Sequence, residues 1–313
     1  MQWVDKKIPE LGKHAQISDN WINSRPLTLT ELRGKIVLVD FWEYSCINCL
    51  RTLPYLKAWY ERYHQFGFEI IGVHVPEFEF GKQKANVEKA VKDLKIAWPI
   101  VLDNDYETWH RYENNVWPRE LLVDTAGTVV HDQSGEGNYG ETEATIQKLI
   151  RRMHPDAKLP PLLAEVRAID KPGAVCFRTS PEIYLGFERG QKDQPYLAGE
   201  WESQRQHLRS AAAASPEQFL LLRYQAAKVF AVVRPEAERG FKVLVEQDGQ
   251  PLPKEVWGED IQEQDGKTFF VVAEARMYRL INNPQFGEHR LKLLPQSTSF
   301  GIYTFTFETA CQT

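Results

Sequence analysis

The sequence predicts two dissimilar domains, an α/β unit with a mixed sheet followed by an all-β sandwich. Strand-like and helix-like runs alternate from residue 35 to residue 153. A proline-rich break, HPDAKLPP at 154–161, then interrupts the pattern. The rest of the chain is a series of short strand-like runs punctuated by turn signals. These observations set the expected boundaries at 1–154 for the first domain, 155–165 for a linker and 166–313 for the second. A length of 313 residues suits two domains of ordinary size.

Each element follows from its pattern. KIVLVDFW at 35–42 is a β-branched apolar run and reads as a buried strand. Residues 50–63 place Leu53, Leu56, Ala58, Tyr60 and Tyr63 at helical spacing with charges between. FEIIGVHV at 68–75 is a second strand, stopped by Pro76. An amphipathic helix at 84–94 carries Val87, Ala90, Val91 and Leu94. A strand at 99–102, a short helix at 106–112, a hairpin at 120–131 with DTAG at its turn, and a helix at 141–153 complete the unit.

Composition excludes several classes. Hydrophobic residues at 42% and charged residues at 26% are those of a globular chain able to bury a core. With 38 Lys+Arg against 43 Asp+Glu the net charge is −5, opposite in sign to the footprint of a nucleic-acid binder. No apolar run is long enough to span a bilayer. The opening MQWVDKKIPELGK has no apolar leader core, from which a cytoplasmic chain is the expectation. Four cysteines are too few for a disulfide scaffold, so each needs its own explanation.

Cys46 and Cys49 form a CINC motif where the first strand turns into the first helix. At a helix N-terminus, unpaired backbone N–H groups and the dipole favour a thiolate, the reactive form of cysteine. Cys49 follows one turn later, close enough to bond to Cys46, which gives a reversible disulfide. Half of a zinc site is the first competing reading, but Cys176 and Cys311 are remote and no histidine pair completes a ligand set. Two inert buried cysteines are the second. Strand, CxxC and helix together favour redox chemistry.

The stretches DFWEYSCINCLRTLP (40–54), GVHVPEF (72–78), LDND (102–105) and GEG (135–137) resemble the TlpA-like thioredoxins, and most closely the soluble region of DipZ-type disulfide reductases. The resemblance covers about residues 25 to 153 and implies a thioredoxin fold. It also implies roles. Cys46 would attack a partner disulfide and Cys49 would resolve the mixed disulfide. Asp40, six residues before Cys46, would be the buried acid that takes the proton of Cys49. Pro118 falls at the family's cis-proline, which would present backbone to an extended substrate. Glu77 matches an acid held near the cysteine pair. Trp42, Trp117, Ile47 and Asn48 flank these groups and are the candidate substrate contacts. No cofactor is implied beyond the Cys46–Cys49 disulfide, and no metal. The implied partners are disulfide-containing proteins and an upstream thiol donor, with an extracytoplasmic compartment as the family's alternative.

Departures from the family pattern affect tuning. Ile47-Asn48 replaces the Gly-Pro of ordinary thioredoxin, Ser45 stands where thioredoxins carry Trp, and Glu43 replaces a small polar residue. The direction of electron flow therefore stays open. GEGNYG at 135–140 fits G-x-G-x-x-G, yet the following helix leads to the proline-rich break rather than to a parallel strand, so a nucleotide site is not expected. Asp103-Asn104-Asp105 reads as a helix cap rather than metal ligands. A peroxidase would need Thr and Arg around its cysteine in a proline-containing loop, and Cys46 lacks that setting.

Beyond the break, runs at 219–224, 228–233, 241–245, 269–272, 278–281, 289–293 and 302–307 read as strands. The segments 180–187 and 199–201 resemble the jelly-roll, carbohydrate-binding-module-like domain that follows the thioredoxin unit in DipZ-type proteins. Trp201, Trp257, Tyr184 and Tyr196 could stack on a sugar or sit in the core. A chain that binds glycan or protein through its sandwich, with the first domain as scaffold, is the alternative function. Cys176 and Cys311 lie near the two ends of the second domain and are either a structural disulfide or two buried thiols.

Overall fold

The computed structural model describes residues 3–171, 173–190 and 194–312. The chain divides into two compact units, Met1–Asp170 and Lys171–Thr313.

The first unit is a six-stranded mixed sheet with helices around it. Its strands are β1 (Trp21–Ile22), β2 (Ile36–Trp42), β3 (Phe68–His74), β4 (Ile100–Leu102), β5 (Arg119–Val123) and β6 (Val129–Ser134). They lie in the order β1-β4-β3-β2-β5-β6. The pairs β2–β3 and β3–β4 are parallel, while β2–β5 and β5–β6 are antiparallel. Four helices connect them: α1 (Ile47–Tyr63), α2 (Lys84–Asp93), α3 (Glu107–Arg111) and α4 (Tyr139–Met153). This is a thioredoxin fold with a short added edge strand, β1.

Alternation along β2 separates the two faces of the sheet. Val37, Val39 and Phe41 join Ile71, Val73, Leu121 and Val123 in one apolar cluster, closed by Ile8, Leu11, Trp109 and Tyr112. The intervening residues, Asp40 among them, point to the opposite face.

The first unit extends past His154. Glu143 on α4 accepts the Leu163 N–H at 2.7 Å, Gln147 donates to the Pro160 carbonyl at 2.8 Å, and the Tyr55 hydroxyl accepts the Val166 N–H at 2.7 Å. The stretch expected as a linker at 155–165 is thus fastened to α1 and α4. Prolines do not signal a loose segment when neighbouring side chains satisfy its backbone.

The second unit is antiparallel throughout and packs as a β-sandwich around one core. Its principal strands are β12 (Phe219–Pro235), β13 (Phe241–Gln247), β16 (Lys267–Val272), β17 (Arg276–Pro295) and β18 (Phe300–Glu308). Shorter strands fill out the unit: β7 (Val175–Cys176), β8 (Ile183–Tyr184), β9 (Tyr196–Ala198), β10 (Trp201–Ser203), β11 (Leu208–Ser210), β14 (Gln250–Pro251), β15 (Gln262–Gln264) and β19 (Cys311–Gln312). The runs expected at 219–224 and 228–233 are one strand, β12, and those at 278–281 and 289–293 are one strand, β17. Bulges explain the misreading: the β12–β17 register shifts at Ala226/Lys228 and at Val229/Phe230. The core positions of β12 accordingly change phase, from Leu220, Leu222, Tyr224 and Ala226 to Val229, Ala231 and Val233.

Trp201 and Trp257 pack against this core, with their indole N–H groups donated to the Ala198 and Leu252 carbonyls at 2.9 Å. Both are structural, so the proposed four-residue stacking platform reduces to Tyr184, which holds the Arg189 guanidinium over its ring, and exposed Tyr196. Strands β7 (Val175–Cys176) and β19 (Cys311–Gln312) pair, and Cys176 and Cys311 form a disulfide between them. No helix is long and apolar enough to cross a membrane among the described residues.

Candidate active site

The site forms where β2 ends and α1 begins. Cys46 is the N-cap residue of α1, and its extended backbone lets its sulfur accept the Cys49 N–H at 3.4 Å. Both cysteines are free; Cys46 is half-buried and Cys49 is fully buried. One thiol therefore meets solvent while the other waits beneath it.

Glu43 organises the turn before Cys46. Its side chain is fully buried and accepts both the N–H and the hydroxyl of Ser45, each at 2.6 Å. Its carbonyl accepts the Cys46 N–H at 3.3 Å, which fixes the approach to the helix. The other carboxyl oxygen lies 3.7 Å from Nε2 of His74, also fully buried at the end of β3. His74 is sandwiched by Trp42, edge-on, and Tyr44, stacked. Sequence reasoning noted Glu43 only as a departure and did not foresee this network. A charged residue directly after a buried strand was the available signal.

Asp40 sits in β2 with 1% of its surface exposed, and burial pushes its carboxyl up to about 7. The Cys49 thiol is also raised, by burial first and by the neighbouring Cys46 and Asp40 as well. An acid that titrates near neutrality thus lies within electrostatic reach of a thiol that resists ionisation. Directly across the sheet, Glu120 of β5 is the register partner of Asp40 and is just as buried.

The Trp117–Pro118 peptide is cis. Because β5 runs antiparallel to β2, Pro118 emerges at the sheet edge from which the Cys46 loop leaves. Its carbonyl accepts the Gly135 N–H at 2.8 Å and is occupied within the unit.

Other expected site residues fall in different settings. Trp42 is 1% exposed, so as a substrate contact it is corrected: it ends a strand buried on both faces and packs in the core. Ile47 is also buried, whereas Asn48 is half-buried and held by Arg51, which bridges to Glu136 at 3.2 Å. Trp117 is partly buried against Trp109, with ring centroids 4.3 Å apart. Glu77 is half-buried in the loop after β3, while the acid built into the turn before Cys46 is Glu43. Asp103 caps α3, accepting the Thr108 and Trp109 N–H groups at 3.1 and 2.8 Å. No cluster able to hold a metal occurs among the described residues.

Residues 5–132 match the AhpC/TSA family, and residues 178–307 match the thioredoxin-like C-terminal domain. The protein DipZ of Mycobacterium tuberculosis is 44% identical over 169 residues, which is 53% of this chain and 24% of that protein. The first unit is similar to the TlpA-like thioredoxins.

The thiol-disulfide oxidoreductase ResA of Bacillus cereus is 28% identical over 150 residues, covering 47% of this chain and 83% of ResA. Among solved structures, a thiol:disulfide interchange protein DsbE from Chlorobium tepidum aligns with 46% of this chain and 95% of its own, at 19% identity and a TM-score of 0.39. The chain spans about a quarter of the length of DipZ.

Proposed function

We propose that this chain reduces disulfides in partner proteins by cycling the Cys46–Cys49 pair between dithiol and disulfide. The observation that carries the reading is the arrangement at the start of α1. A half-buried cysteine caps the helix, a buried one follows a turn later, and a buried acid titrating near neutrality belongs to the strand beneath.

The cycle begins when the Cys46 thiolate attacks a partner disulfide and forms a mixed disulfide, releasing one partner sulfur as thiolate. The Asp40 carboxylate takes the proton of Cys49. The Cys49 thiolate then attacks the Cys46 sulfur, the second partner sulfur leaves with the electron pair, and a Cys46–Cys49 bond remains. The partner has gained two electrons and the protein has lost them. A thiol donor upstream restores the dithiol.

Cis-Pro118 and half-buried Trp117 mark the edge where an extended substrate would lie. Cys46→Ser should abolish reduction of a model disulfide protein; retention of full activity would overturn the reading. The reduction potential of the pair, measured against glutathione, separates a reductant from an oxidant: a value near that of thioredoxin, about −270 mV, supports the direction proposed.

A further inference from the structure

Asp40 is not alone in the sheet. In the antiparallel β2–β5 ladder its direct register partner is Glu120. Side chains opposite one another in such a ladder share a face and stand about 5 Å apart at Cβ. The face is that of Asp40, opposite the cluster containing Val39, Phe41 and Leu121. Asp40 is 1% and Glu120 2% exposed. Neither Asp40 Oδ1 nor Glu120 Oε2 has a hydrogen-bond partner among the described residues. Among the described residues no lysine, arginine or histidine pairs with either acid; the neighbouring Arg119 is taken by Asp132 and His74 lies against Glu43.

The charged and titratable groups facing the pair come from each side. From α1 comes Cys49, whose thiol feels Asp40. From α4 comes the buried Tyr139, whose hydroxyl has no partner among the described residues and which feels Glu120, Glu136 and Arg167. A second acid opposite the first has an evident cost. Two carboxylates this close and this dry cannot both ionise at neutral pH. Burial pushes Glu120 well above the usual range, and the charge of Asp40 pushes it further in the same direction.

We propose that Asp40 and Glu120 work as one carboxyl pair holding a single proton in the dithiol state, with Glu120 the positioning residue that keeps the proton while Asp40 stays free to accept. The inference rests on the redox reading above. In the resolving step the pair gains a second proton from Cys49 and becomes neutral. The negative charge leaves as the partner's thiolate, and a Cys46–Cys49 bond replaces the Cys46–partner bond. When the disulfide is later reduced, the pair returns that proton. With only one charge ever present, the site never carries two anions under a forming thiolate.

The test is infrared titration of the protonated-carboxyl C=O stretch in the full chain, across pH 5 to 10. At pH 9 the wild type should retain one protonated carboxyl, beyond the range of ordinary Asp and Glu. Glu120→Gln should remove it, and Glu120→Asp should restore a carboxyl that titrates in the alkaline range. Asp40→Asn should keep the Glu120 band but lower its titration by about one pH unit or more, since the neighbouring charge is gone. Three results would each overturn the proposal: no such band in the wild type, a band untouched by Glu120→Gln, or a Glu120 titration indifferent to Asp40→Asn. The readout does not depend on turnover. If Cys46→Ser kept full activity while the coupled titration held, the redox reading would fall and the pair would stand.

Discussion

The two units use their cysteines in opposite ways. The first keeps Cys46 and Cys49 one helical turn apart and unbonded, one at the surface and one beneath. The second bonds Cys176 to Cys311 across a sequence separation of 135, between its first and last strands. Surroundings differ as much as spacing. Cys46 caps a helix beside a turn organised by Glu43, and buried acids belong to the adjoining sheet. The Cys176–Cys311 disulfide sits in a two-stranded ribbon rather than at the start of a helix. A pair placed to change state needs a stabilised thiolate and a proton acceptor; a clasp needs only its geometry.

The largest expected effect breaks this contrast most directly. Cys46→Ser should lower disulfide-reducing activity by roughly a thousandfold or more, the scale of losing a covalent nucleophile. Cys176→Ala with Cys311→Ala should leave that activity within about twofold. Equal losses from both changes, in a reductase assay at matched concentration, would erase the distinction.

The second pair should instead matter to stability. Removing it opens a long loop, and the second unit should lose about 4 kcal/mol, seen as a lower urea midpoint. An unchanged midpoint would mean that the ribbon is idle.

Asp40 gives an effect of similar size and opposite sign. Its carboxyl rises on folding from an ordinary 3.8 to about 7. Its protonated form is therefore favoured in the fold, so the associated stability is complete below pH about 4 and is lost as pH rises through about 7. Asp40→Asn removes this dependence and should stabilise the first unit by roughly 3–4 kcal/mol at pH 8, while slowing release of the partner from Cys46. Denaturant curves at pH 4 and pH 8 check the sign: a wild type equally stable at both would contradict it.

Ser45→Ala is the smallest change. It removes one of the two Ser45 donors to buried Glu43, and about 1–2 kcal/mol should be lost from the first unit. Because Glu43 also bonds the Ser45 N–H, the Cys46 turn should persist and activity should change only a few-fold.

What the sequence made legible was what local pattern encodes. The run at 35–42 is buried because it is apolar throughout, and CINC stands at a strand-to-helix junction because helical periodicity begins there. Non-local pairing was less visible. Glu120 acquires meaning only when β5 lies beside β2 in a given register, and Glu43 only when β3 delivers His74. β12 and β17 are long because bulges reset their phase, and period-2 reading splits a strand at a bulge. A buried strand beginning Arg119-Glu120 did carry a hint, since charge there demands a partner; Arg119 finds Asp132 at 2.9 Å.

The most direct test of the account is to trap its intermediate. Cys49→Ser leaves Cys46 without a resolving thiol, so the variant mixed with a disulfide-containing protein should accumulate a mixed disulfide. Non-reducing electrophoresis and peptide mass spectrometry should place that bond at Cys46, in near one-to-one amount. Absence of the adduct, or its attachment at any other cysteine, would contradict the assignment of Cys46 as nucleophile and Cys49 as resolver.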